Sequence, residues 1–290
     1  MEKGYDTQGR VDYGQIPEEQ RGINSYASDN DTGSSWLKRA AKPRSPLYTI
    51  LVLAAIMVAM ITYTRGDPRG RVVITPPWQP GEVSVLEIRD SHGQLIAPWE
   101  LRIDSDGKAT LFTSDQHGST YSEHAMVAAD PDTLVPIRTE LTYESDHGRI
   151  VYAALYGEDG VSIEASVPGQ NEESIVELPD TPYFDNEQFI MVIRALPLKR
   201  NFKATLKDVI TRAAMKTTIT LNVAKKEKLE VPAGSFETWK VDLMGTGRTV
   251  WIAVPHPHQI VRFEDRKART TADLVQYTPG VELETGSEFE

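Results

Sequence analysis

Two histidines, His256 and His258, stand one residue apart in the stretch VPHPHQIVRF. A His-x-His pair is a common start for a metal site, and zinc would then need a third and usually a fourth ligand. No cluster of His, Asp or Glu lies near this pair in the sequence to supply one. Pro255 and Pro257 interleave with the histidines directly after the apolar run Val250 to Val254, and prolines break a strand's hydrogen-bond ladder. The pair is therefore expected in a connection between two strands. His92, His117 and His147 each precede a glycine, in SHG, QHG and DHG, where hairpin tips are expected and glycine supplies a positive φ.

Other chemistry is missing in the same way. With no cysteine there is no thiol nucleophile, disulfide or thiolate-held cluster. The chain has no G-x-S-x-G, no H-E-x-x-H, no glycine-rich phosphate loop and no dinucleotide fingerprint. DSDG (104–107) and DNDTG (29–33) resemble pieces of calcium loops, but neither continues to a glutamate at the twelfth position, so both read as turns. No catalytic residue, metal ligand or cofactor site is expected, and the chain is not expected to be an enzyme. A net charge of -11 argues against nucleic acid as a partner, because that polyanion requires a basic footprint.

The elements that position these residues are mainly strands. VSIEASV (Val161 to Val167) and ITLNV (Ile219 to Val223) alternate strictly, and VWIAV (Val250 to Val254) is apolar throughout most of its length, as a more buried strand would be. Turn signals separate such runs: DSDG, GEDG (157–160), PAGS (232–235) and GTG (245–247). From Val72 onward this pattern predicts a single antiparallel sheet, a sandwich or a partly closed barrel. DNEQFIMVIRALP differs. It places Phe189, Val192, Ile193 and Leu196 at helical spacing, with Asp185 and Gln188 as a capping box and Pro197 as a stop. One amphipathic helix packed on the sheet is expected there.

The N-terminal part obeys different rules. LYTILVLAAIMVAMITY (Leu47 to Tyr63) carries no charge, glycine or internal proline. As a helix it rises about 25 Å, near the lower limit for crossing a hydrocarbon core. A transmembrane helix over residues 46–64 is expected, with Tyr48 and Tyr63 at the interfaces. Lys38, Arg39, Lys42 and Arg44 precede it without an intervening acid, and Arg65, Arg69 and Arg71 follow. The larger basic cluster on the N-terminal side predicts a cytoplasmic N-terminus. Residues 1–45 form a polar tail, too poor in apolar groups over its first 35 residues to fold alone, with a helical turn at SSWLKRAAK. Residues 65–290 form the extracytoplasmic β domain.

Within that acidic domain, Lys199 to Lys228 holds nine basic side chains against Asp208 and Glu227. The plain reading is the solvated face of two strands. The functional reading is a patch, centred on Lys199, Arg200, Lys203, Lys207, Arg212 and Lys216, for lipid head groups or an acidic partner.

FIMVIRALPL, KLEVPAGSFETWKVDL, WIAVPHPHQIVRFE and DPDTLVPIRTEL together resemble the bacterial domain-of-unknown-function family numbered 3108, over roughly residues 80–270. The resemblance implies a curved antiparallel half-barrel with a helix over its concave face, similar to lipoprotein-carrier proteins of the bacterial envelope. It implies no catalytic residues. It implies that Pro232 and Gly234 shape a turn and that Phe236, Trp239 and Trp251 belong to the core.

Two functions follow as expectations. The first is a non-catalytic, single-pass accessory or scaffold subunit of a complex in the bacterial inner membrane, in contact with membrane lipid and other membrane protein subunits, its β domain bracing them in the periplasm. The second is a binding protein for lipid or another apolar ligand. The topology has a direct test. Protease added to intact spheroplasts should degrade the β domain and spare an epitope at Tyr5; loss of the Tyr5 epitope with the β domain intact would reverse the orientation.

Overall fold

A computed structural model describes residues 74–178 and 182–281. The expected tail, its helical turn, the transmembrane helix, and its flanking Lys38, Arg39, Lys42, Arg44, Tyr48 and Tyr63 lie outside the described residues. Among those described, no helix is long and apolar enough to cross a membrane.

The described residues form one open, curved sheet with one short α-helix. Chain order runs β1 (Glu82–Asp90), β2 (Leu95–Ser105), β3 (Thr110–His117), β4 (Tyr121–Ala129) and β5 (Pro136–Ser145). It continues through β6 (Gly148–Tyr156), β7 (Val161–Val167), β8 (Gln170–Val176), β9 (Tyr183–Asp185) and the helix α1 (Asn186–Val192). A 3₁₀ turn (Ile193–Ala195) extends the helix to β10 (Lys203–Ile210), and a second (Thr211–Ala213) leads into β11 (Met215–Val231). β12 (Gly234–Met244), β13 (Arg248–Ala253), β14 (Ile260–Asp265) and β15 (Thr270–Thr278) complete it. Among the described residues the first strand starts at Glu82, after Pro76, Pro77 and Pro80, which cannot donate to a ladder.

Neighbours in the sheet follow the order β8-β7-β6-β5-β4-β3-β2-β1-β15-β14-β13-β12-β11-β10-β9. Every pair is antiparallel except β9 with β10. That parallel pair corrects the all-antiparallel expectation and explains the helix. Parallel neighbours need a long crossover, and residues 186–202 provide it. The crossover runs across the concave side, so α1 sits inside the curl, packed on β3 and β4 from one arm and on β10 from the other.

The helix is more deeply buried than an ordinary amphipathic surface helix. Gln188, Phe189 and Met191 through Leu196 are all buried, and only Asn186, Glu187 and Ile190 on one face keep partial exposure. Phe112, Ile103 and Leu86 from one arm and Leu221, Ile252 and Leu274 from the other close on Met191 and Ile193 in one continuous core. Each such side chain contributes about 1.5–3 kcal/mol when fully buried. The capping box also forms differently. Asp185 caps the helix by accepting from the Glu187 amide, while Gln188 turns away and donates to the Leu134 carbonyl.

The turns fall where the sequence places them, with one exception in backbone geometry. Gly93 and Gly148, after His92 and His147, take positive φ. Gly118, after His117, does not; it is required because a Cβ there would lie 2.5 Å from the Tyr121 ring. The motif aromatics divide. Phe236 and Trp239 lie only partly buried at the margin of the core. Trp251 is buried as expected, at 5% exposure, but on the face opposite Val250 and Ile252, where Lys240 covers its ring at 4.9 Å and its Nε1 donates to Glu227 at 2.7 Å.

Candidate functional site

Both ends of the helix are held by buried charged side chains. At the N-terminal end, Asp185 is fully buried. Its Oδ1 accepts from the Glu187 amide at 2.9 Å. Its Oδ2 accepts from the hydroxyls of Thr139 on β5 (2.8 Å), Tyr156 on β6 (2.5 Å) and Thr211 after β10 (2.6 Å). These strands stand near opposite ends of the sheet, where no backbone ladder joins them. One carboxyl group therefore draws the two arms together. Burial, reinforced by Asp185, pushes the Tyr156 hydroxyl well above its ordinary value, which keeps it a donor.

Other side chains continue this seam. Tyr156 and Tyr183 stack with ring centroids 5.8 Å apart. Ala154, Val161, Ile163 and Val176 of the β6–β8 arm pack with Val209 of β10 in a second, smaller core. Arg212, just after β10, grips both oxygens of Glu123 on β4 (2.9 and 3.1 Å) and reaches Glu187 at 3.1 Å. Burial opposes the charge of this guanidinium, but Glu123 and Glu187 more than offset it and hold it well above its ordinary value. Glu187 is itself raised by burial, against the pull of Arg212. Such a bidentate pair is both strong and geometrically specific.

At the other end of the helix, Arg194 bonds to Glu82, donates from Nε to the His258 carbonyl at 2.9 Å, and donates from Nη2 to the Pro257 carbonyl at 3.0 Å. Its guanidinium lies 5.4 Å from the Trp78 ring. The histidine pair thus belongs to the β13–β14 connection, with the Pro257 and His258 carbonyls pinned to the helix. His258 Nδ1 faces the Ala253 carbonyl at 3.0 Å, and the His256–Pro257 peptide is cis. Among the described residues, no group of three or more His, Asp or Glu side chains could hold a metal.

Five of the six expected basic residues keep surface exposure, and one turns inward. Lys199 and Arg200 are exposed ahead of β10. Lys203 and Lys207 share the outward row of β10, with Lys207 bonded to Thr218 at 2.8 Å. Lys216 donates to the Glu177 carbonyl. Arg212 faces inward and is withdrawn as a partner or head-group contact. Its ion pairs with Glu123 and Glu187 belong to the seam.

Sequence reasoning saw Asp185 only as a cap, and it missed Thr139, Tyr156, Thr211 and Glu123 altogether. Arg194 did leave a signal: it is the one charge inside an otherwise apolar helical run. What the contacts of Asp185, Arg212 and Arg194 do chemically is hold the sheet around its helix.

Asp208 on β10 is the odd member. It is buried, and neither carboxyl oxygen has a hydrogen-bond partner. Burial, then Asp185 and Glu187, push its carboxyl well above the usual range against the pull of Arg248. The folded chain therefore holds this proton more tightly than the unfolded chain. Stability falls as pH rises from the ordinary carboxylate value through the raised one. Asp208→Asn has no proton to lose. Its melting temperature should gain on wild type as pH rises above the ordinary carboxylate range, because only the wild type must give up a proton that its fold holds. Parallel melting-temperature profiles for the two proteins would contradict this assignment.

No curated protein matches the sequence. Among solved structures, the chain is similar to a beta-barrel-like protein of domain of unknown function DUF1849 from Brucella abortus, at 8% identity and a TM-score of 0.45. That match covers 70% of this chain and 98% of the other. A Bacteroides fragilis protein with a YmcC-like fold matches at 12% identity and a TM-score of 0.26, over 72% of this chain and 100% of its own. The resemblance carried by the LPL, PAGSF and W–I stretches has a firmer footing. Residues 95–270 match the family described as protein of unknown function DUF3108, and the chain belongs to that family.

Proposed function

We propose that the chain is a non-catalytic, membrane-anchored accessory or scaffold subunit of the bacterial envelope, its β domain bracing partner proteins on the periplasmic side. One observation carries the choice over an apolar-ligand carrier: the concave side of the sheet is occupied by its own helix. A carrier needs interior space, and ligand pockets are typically apolar cavities of several hundred Å³. Here Phe112, Leu134, Met191, Ile193 and Leu274 fill that position and are fully buried. Two clefts among the described residues lie elsewhere: one is lined by Tyr183, Val209 and Thr218 together with Lys207, Asp208 and Lys216, the other by Lys226, Glu227, Lys228 and Glu237. A filled interior leaves the outer surface as the part able to bind.

The uncharged run Leu47 to Tyr63 supports a permanent anchor, and Lys38, Arg39, Lys42 and Arg44 before it support a cytoplasmic N-terminus in the inner membrane. An anchored chain cannot shuttle cargo across an aqueous gap, which fits a subunit better than a carrier. The test is extraction in mild detergent followed by mass spectrometry of what co-purifies. The proposal expects other membrane proteins in fixed ratio to this chain. A lone monomer that carries lipid and no protein partner would replace it with the carrier reading.

A further inference from the structure

The strand order leaves β8 at one end of the sheet, with one backbone edge unpaired among the described residues. The opposite end, β9, is only three residues long and turns at once into the helix. An open edge is a template for another strand, and three features of β8 define what would pair there.

The first is apolar. Leu155, Ser162 and Ile175 stand in one register row across β6, β7 and β8. Leu155 is 65% exposed and Ile175 75% exposed. The second is a charge conflict. Glu164 on β7 and Glu173 on β8 stand directly opposite each other, and no described basic group pairs with either. Like charges in that position are destabilising. Glu173 lies two residues from Ile175 and so shares its face. The third is the local balance: residues 148–178 hold one basic side chain, Arg149, against Glu158, Asp159, Glu164, Glu172, Glu173 and Glu177, a net of -5.

We infer that β8 is the docking edge for an extended basic segment of a partner protein, which adds to the sheet as a further strand. A basic side chain of that segment faces Glu164 and Glu173, and an apolar one two positions along covers Ile175 and Leu155. Main-chain bonds give such strand addition its affinity, and alternate side chains give it specificity. A second copy of this chain is the wrong partner, because its own β8 would bring Glu172 and Glu173 against the same residues. This inference rests on the subunit reading and names the chemistry of one of its contacts.

The test uses the full-length chain in detergent and a fluorescent peptide alternating valine and lysine. The wild type should bind it more weakly as salt rises. Glu164→Lys with Glu173→Lys should lose on the order of tenfold in affinity and should instead take a valine–glutamate peptide. Ile175→Lys, at an exposed position that leaves the core untouched, should lose affinity as well. N-methylation of the peptide backbone on its edge-facing side should abolish binding. Equal binding of both peptides, full binding of the N-methylated one, or no binding by the wild type would overturn the inference. So would a dimer in sedimentation that the charge reversal dissolves, since the occupant would then be a second copy. Co-purification separates the two levels. Partners retained by a charge-reversed chain that no longer binds peptide would sink this edge but leave the subunit reading standing. Wild type purified without any protein partner would sink both.

Discussion

The carboxyl group of Asp185 joins parts of the chain that no backbone ladder connects. It caps the helix through Glu187 and takes hydroxyls from β5, β6 and the turn after β10. Burying an acidic group is expensive unless donors replace the lost water. Here four donors do so, and three of them come from different segments of the sheet. The cost of burial is thereby converted into a geometric requirement. Thr139, Tyr156 and Thr211 must all arrive for the group to be satisfied, and their arrival curls the sheet around the helix.

Arg194 plays the corresponding part at the other end. A negative group at the helix N-terminus and a positive one near its C-terminus both complement the helix dipole. The α-helix itself is only seven residues long and would not persist alone. It is held by tertiary contacts: hydrophobic packing along its length, Asp185 at its start, Arg194 at its end. Because Arg194 also holds the β13–β14 connection and Glu82 at the start of β1, helix placement and the curl of the sheet become a single structural event. The interior is spent on the fold. In the proposed reading, recognition falls to the outer surface and the open edge of β8.

Period-2 alternation and turn residues made the strands legible, and β7 coincides with the run Val161 to Val167 read from the sequence. The helix was legible as an element but not as an interior one. Its polar positions, Gln188 and Arg194, look like a solvent face until their partners, 54 and 63 or 64 residues away, are known. The seam was illegible for the same reason. Thr139, Tyr156 and Thr211 are ordinary strand and turn residues, and only the curl of the sheet brings them to one carboxyl group. Arg212 misled because sequence shows charge but not direction: it sits among lysines in the chain and among carboxylates in space. Trp251 was legible as a buried residue, but not which face it occupies: its cover comes from Lys240 and Glu227 rather than from the helix side.

The central claim is that a side-chain seam anchored on Asp185, rather than a backbone ladder, closes the sheet. Hydrogen exchange on the full-length Asp185→Asn chain tests it most directly. Asparagine keeps the volume but brings donors of its own where hydroxyls now donate, so the seam loses charge-assisted bonds each worth about 1.5–3 kcal/mol. The account predicts that amides of β6, β7 and β8 exchange on the order of tenfold faster or more, while β1, β2 and β15 keep their protection. Unchanged exchange in β6–β8, or a uniform increase across the whole sheet, would contradict it.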